Sequence, residues 1–231
     1  MSLGFAADSV SMKVTNGMPA SIVLPSGRRI DRLIDRLIRF MREEYEYYDA
    51  IPSLDPNHID PLDVMVTVAV NSFVNSAAKV RAVHRAVAVA CDPVLAEIPI
   101  DADLRTFELE PVRRLIASAL TARGVLTAVA TKILHRKRRR LIPMLDSVVV
   151  GYYADVLHRK ELLAWTVEKH SKTADAAMAV LEAMRSDLCA VALAIEACTN
   201  ELGAHGFQVT GLRALEVLLW TDVEPAGYYR D

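Results

Sequence analysis

Between Thr173 and Leu202 the residues Ala177, Val180, Leu181, Met184, Leu188, Val191, Ile195 and Leu202 return at helical spacing, holding one apolar stripe for about eight turns. A stripe of that length has to be covered, and the rest of the chain offers mainly more of the same pattern. Hydrophobic residues make up 52% of the sequence and aromatic ones only 6%, so alanine, valine and leucine carry the packing. Nine glycines are too few for the many tight turns of an all-β fold. The expected fold is all-α, a bundle of about nine to ten helices.

Taken in order, residues 1–27 read as an N-terminal arm, with Ala20 to Leu24 as a short strand or half of a small hairpin. Residues 28–231 read as a single all-α domain of one or two lobes. Ile30, Leu33, Ile34, Leu37, Ile38 and Met41 predict a helix from Arg28 to Tyr48. Three prolines make 49–63 a loop, and Asp60 followed by Pro61 is an N-cap and first-turn pair. Leu62 to Val74 is apolar all round and predicts a core helix. Further helices are expected at Lys79 to Ala90, from Asp92 to Ile98 after a restart at Pro93, at Pro111 to Ala122, near Leu162 to His170, and at Leu212 to Trp220. Gly203 reads as the stop of the long Thr173–Leu202 helix, and 224–231 as a frayed tail.

A net charge of −2 excludes binding to nucleic acid by the whole surface, so any such contact has to come from a local patch. Cys91, Cys189 and Cys198 have neither disulfide-framework nor metal-ligand spacing, and with no secretion signal the expectation is a cytoplasmic protein with no metal and no cofactor. No apolar run reaches the length of a membrane span.

The chemistry concentrates in Gly124 to Gly151. Val125, Val129, Ile133 and Leu134 form a helical stripe that ends in His135, Arg136, Lys137, Arg138, Arg139 and Arg140. Pro143 breaks the helix, and Asp146 stands as N-cap of the next, whose Val148, Val149, Tyr152, Tyr153, Val156 and Leu157 are amphipathic. This order of Gly-Val, helix, link and Asp resembles the helix-hairpin-helix DNA glycosylase superfamily, with the hairpin-like element at 111–158. The segment HRKRRRLIPMLDSVV also resembles an uncharacterised bacterial domain family with a basic run before L-I-P-x-x-D. The glycosylase resemblance implies that Asp146 is a catalytic carboxylate, stabilising charge at the sugar carbon. Gly124, Lys132, Arg136, Lys137, Arg138, Arg139 and Arg140 would then contact the phosphates of double-stranded DNA, and Tyr152, Tyr153 or Trp165 would stack on a base. Ala128 stands where bifunctional members carry a Schiff-base lysine, so base excision without lyase activity is implied. Leu126, in place of the hairpin's second glycine, and the net charge favour the alternative, a non-enzymatic helical interaction domain that keeps the architecture without catalysis. A third reading places a small molecule against the Tyr45 to Tyr48 cluster.

Overall fold

The computed structural model describes residues 14–15, 18–159, 162 and 172–223. Two antiparallel hairpins come first: β1 (Val14–Thr15) with β2 (Met18–Pro19), and β3 (Ser21–Val23) with β4 (Arg29–Asp31), in register with Ile22 opposite Ile30. Gly27, at φ 81°, supplies the left-handed residue in the β3–β4 turn. Ile22, Leu24 and Ile30 are buried in the main core. This pairing claims the backbone of Arg29 to Asp31, so the first helix, α1, spans Leu33–Glu44 and not the full Arg28 to Tyr48 pattern.

The remaining helices are α2 (Pro61–Val66), α3 (Ala77–Leu95), α4 (Leu109–Leu120), α5 (Thr127–Lys137), α6 (Ser147–Val156), α7 (Lys172–Ala190), α8 (Ala192–Ala204) and α9 (Gly211–Val223). The fold is an all-α bundle, with nine α-helices among the described residues. Its centre is α9, where every residue from Leu212 to Leu219 is buried. Around it pack α1, α6, α7 and α8, while α4 bridges α3, α5 and α7.

Four details differ from the periodicity. First, the apolar run from Leu62 does not make one core helix. After α2 the chain tightens into a 3₁₀ turn, Thr67–Val70, and Asn71 at φ 59° ends it. Thr67 Oγ1 donates to the Val64 carbonyl at 2.7 Å, competing with the helical ladder, and Met65 and Phe73 are left 54% and 81% exposed. Second, α3 runs through Pro93 without a restart. The Val89 carbonyl, deprived of its partner by Pro93, lies on a solvated face, since Val89 is 82% exposed. Third, the long stripe divides at Val191 (φ −108°, ψ 17°) into α7 and α8, and both parts keep their apolar face inward. Fourth, Gly203 lies within α8, and the left-handed stop is Gly206 at φ 88°, with the Phe207 amide donating to the Leu202 carbonyl at 2.9 Å. Of the helix expected near 162–170 only Leu162, helical and buried, is among the described residues, and the tail from 224 lies outside them.

Candidate functional site

The basic run turns inward. Arg136 Nε donates to Asp63 Oδ1 at 2.9 Å and its other nitrogens to the Ile51 and Pro52 carbonyls. Lys137 pairs with Asp63 and donates to Ser53 Oγ and the Asp55 carbonyl. Arg138 is fully buried, donating to the carbonyls of Leu95, Ile98, Pro56 and Lys137 and to Asn57 Oδ1. Leu95 is the last residue of α3 and Ile98 lies in the turn just beyond it, so Arg138 caps the C-terminal end of α3 from outside. Arg139 takes the Asp49 and Ile51 carbonyls, and Arg140, which is exposed, pairs with Asp103. The run therefore stitches the proline-rich loop 49–63 onto the body of the bundle. Burial alone would raise the Asp63 carboxyl. Bonds from Lys137, from the Asp60 amide and from Arg136 overcome it and hold the group below its ordinary value.

These positions correct the expectation for Lys132, Arg136, Lys137 and Arg138 as phosphate contacts. At 5%, 2%, 3% and 0% exposure, each bonded to protein oxygens, they do not meet a duplex in this conformation. Tyr152 and Tyr153 are likewise enclosed and present no stacking face. Tyr152 bonds Ser26 Oγ at 2.8 Å beneath the Arg28 guanidinium, and Tyr153 donates to Asp187 at 2.9 Å. Burial pushes Asp187 up to about 6. Trp165 lies outside the described residues. Gly124 is exposed at φ 81° in the link between α4 and α5.

Asp146 occupies a different setting. It is half-buried and caps α6, its Oδ1 accepting from the Val148 and Val149 amides at 3.0 Å each. Among the described residues nothing bonds its Oδ2. Two cavities meet at this side chain: an inner recess of about 150 Å³ and an outer cleft of about 650 Å³, with Asn71, Lys132, Asp146 and Trp220 lining both. The inner recess is walled by Phe40, Trp220, Met144, Val149 and Val217 and also carries Glu44, Arg213 and Glu216. A void on the order of 150 Å³ admits one six-membered ring. The outer cleft lies between Val68 to Phe73, the start of α5 and the start of α6.

Two tethers fix Asp146 there. Thr131 Oγ1 donates to the Thr127 carbonyl at 2.8 Å and accepts the Leu145 amide at 3.0 Å, tying the link before α6 to α5. The Met144 amide donates to Glu216, which also receives Arg213. Arg213 in turn pairs with Asp49 at 3.2 Å and lies over the Phe40 ring, 5.3 Å from its centroid. Burial raises Glu216 to about 8 against the opposing pull of Arg213, and burial lowers the Lys132 amine despite the nearby Asp146 charge. The Lys132 amine donates to the Val70 carbonyl.

Residues 34–223 match the model of a family described as a family of unknown function, DUF6308. The chain belongs to that family. The match covers the helices that build both cavities, and it agrees with the resemblance to an uncharacterised domain family. It brings no glycosylase motif with it. No curated protein and no solved structure matches the chain. No helix among the described residues is long and apolar enough to cross a membrane. Nor do those residues bring together a group of His, Cys, Asp and Glu able to hold a metal.

Trp220, Glu216 and Arg213 were not legible as site residues. They sit in α9, whose apolar pattern reads as plain core, while Asn71 was visible as an amide one turn from Asn75, where bonding to neighbouring backbone is the commoner role and a ligand role the lesser one. The one available signal was Arg213 and Glu216, charges placed three apart in the otherwise uncharged stretch from Gly211 to Thr221.

Proposed function

We propose that the cleft at Asp146 receives a nucleoside unit and that the chain acts as an N-glycosidase of glycosylase type, without lyase activity. The observation that carries this reading is the half-buried Asp146, capped through one oxygen and open through the other where the two cavities meet. In this reading a base enters the inner recess between Phe40, Trp220 and the aliphatic wall. The sugar stays in the outer cleft, and the free carboxylate oxygen stabilises positive charge at the sugar carbon as the bond to the base breaks; water from the cleft then bonds to that carbon, and the proton it gives up balances the one taken by the departing base nitrogen. A ring extruded from a strand reaches such a recess by leaving its stack. Ala128 in the first turn of α5 offers no amine, and the Lys132 amine is held by Val70, which supports hydrolysis over elimination.

The test is release of free base, followed by chromatography, from lesion-bearing duplexes and from free deoxynucleosides. Asp146→Asn keeps the cap, because asparagine caps as well as aspartate, and removes the charge. Base release by the wild type that falls at least about a hundredfold in this variant supports the reading. Release unchanged in the variant, or no release from any substrate, refutes it.

A specific observation favours a second reading, a helical interaction domain without catalysis. The basic run is internal, and at the cleft mouth Val68 and Phe73 are 44% and 81% exposed. This reading predicts a protein partner on that face and no base release.

A further inference from the structure

A separate cleft, of about 410 Å³, shares no lining residue with the two that meet at Asp146. It lies between α8, the start of α9 and two links that bring Asp103, Arg105 and Arg140 to its wall. Asp103 is the pivot of that wall. Its Oδ1 accepts from Arg105 Nε at 2.9 Å and from the Arg105 amide at 3.0 Å. Its Oδ2 accepts from Arg105 Nη2 at 2.8 Å and from Arg140 Nε and Nη2 at 3.2 and 2.9 Å. These donors exhaust the roughly four lone-pair sites of a carboxylate, so Asp103 has nothing left to offer either arginine. The Arg105 guanidinium, against the pull of burial and with help from Arg140, holds that carboxyl well below the ordinary range. Both guanidiniums are oriented through Nε and Nη2, and among the described residues neither Nη1 has a hydrogen-bond partner. The backbone behind them is fixed: the Leu104 amide donates to the Arg140 carbonyl at 2.9 Å, and Arg185 Nε of α7 donates to the Leu104 carbonyl at 2.6 Å. Two guanidiniums on one carboxylate leave a local excess of positive charge with donors to spare, which suits an oxyanion.

Glu196 of α8 lines the same cleft and carries the opposite sign. Its carboxylate pairs with no cation among the described residues, although its charge is felt at Arg105. Over the whole lining, two guanidiniums and two carboxylates cancel. A phosphate would leave the cleft with uncompensated negative charge, whereas a ligand carrying one anion and one cation leaves it neutral. Leu188, Ile195 and Leu212 add buried apolar surface, and the volume falls within the range of small-molecule sites.

We propose that this cleft binds a free α-amino acid with an apolar side chain, its carboxylate on the Nη1 groups of Arg105 and Arg140, its ammonium at Glu196 and its side chain against Leu188, Ile195 and Leu212. The site is one of recognition, and it stands apart from the reading of Asp146 because the two share no residue.

The experiment is calorimetric titration of the full chain with the common L-amino acids and with inorganic phosphate. The amide and the N-acetyl form of the amino acid that binds most tightly follow. The wild type is compared with Arg140→Gln and Glu196→Gln, both at exposed positions, each checked for folding by circular dichroism. The expected result is an apolar amino acid whose amide and N-acetyl forms each bind at least about tenfold more weakly, the worth of hydrogen bonds to a charged group. Arg140→Gln removes the preference for the acid over its amide and keeps that for the free amine. Glu196→Gln removes the preference for the free amine and keeps that for the acid. This crossed pattern separates two contacts from a general loss of structure. No amino acid bound at millimolar concentration overturns the proposal, as does binding indifferent to both modifications or unchanged in both variants. Phosphate bound with no amino acid bound overturns the ligand class.

Discussion

Replacing Arg138 by lysine keeps the positive charge and much of the length of the side chain, yet the structure predicts a large loss of stability. Five acceptors meet this guanidinium: the carbonyls of Leu95, Ile98, Pro56 and Lys137, and Asn57 Oδ1, at 2.5 to 3.0 Å. A lysine ammonium has three donors, so at least two of the five lose their partner in a site closed to water. Each buried acceptor left unmade costs about 1–3 kcal/mol, so two cost about 2–6 kcal/mol, with roughly 4 kcal/mol as the middle of the expected range. Urea unfolding followed by circular dichroism reads this directly. With a slope of about 2–3 kcal/mol/M, the midpoint should fall by about 1.3–2 M. A surface arginine that touches phosphates would show no such cost. A midpoint within about 0.2 M of the wild type would refute the reading of the run as an internal scaffold.

Three further outcomes follow from the same geometry. Asp63→Asn leaves Arg136 and Lys137 buried without their carboxylate and should cost about 3–5 kcal/mol at pH 7. The folded Asp63 sits below its ordinary value, so its contribution is complete above the unfolded value of about 4 and is lost as pH falls through the folded one; the gap between the two proteins should stay flat from pH 7 to 5 and narrow below about 4, measured by unfolding across pH. Asp146→Ala should cost about 1 kcal/mol through loss of the α6 cap, while Asp146→Asn should stay within about 0.5 kcal/mol, by thermal unfolding. Iodoacetamide at pH 8 followed by mass spectrometry should modify Cys189 in the native protein and spare Cys91 and Cys198, whose thiols burial raises to about 12 and 11.

The helical framework was legible because its signal is local: the stripes of α1, α7, α8 and α9 are written in spacings of three and four. Asp146 as a helix cap and Asp60–Pro61 as a helix start were equally readable, since a cap depends on the residues next to it. The direction of the basic run was not. His135 to Arg140 at a helix end reads as a solvated cluster, and nothing local reveals that loop 49–63 folds back to offer it Asp63 and five carbonyls from about eighty positions away. The cleft was hidden for a related reason. Its walls come from α1, the Val68 to Phe73 segment, α5, α6 and α9, so no stretch of sequence contains it. An experiment that replaces Arg138, Arg139 and Arg140 together to test nucleic-acid binding would also remove the scaffold, and Arg140→Ala alone is the cleaner probe.

The most direct test of where function resides is an amide NMR spectrum of the labelled chain titrated with a deoxynucleoside 5′-monophosphate and then with a short oligonucleotide. Shifts clustered at 126–132, 145–149 and 216–220 are the predicted result, because those segments line the cavities that meet at Asp146. Shifts centred on Arg140 and Asp103, with the cleft segments silent, would contradict it.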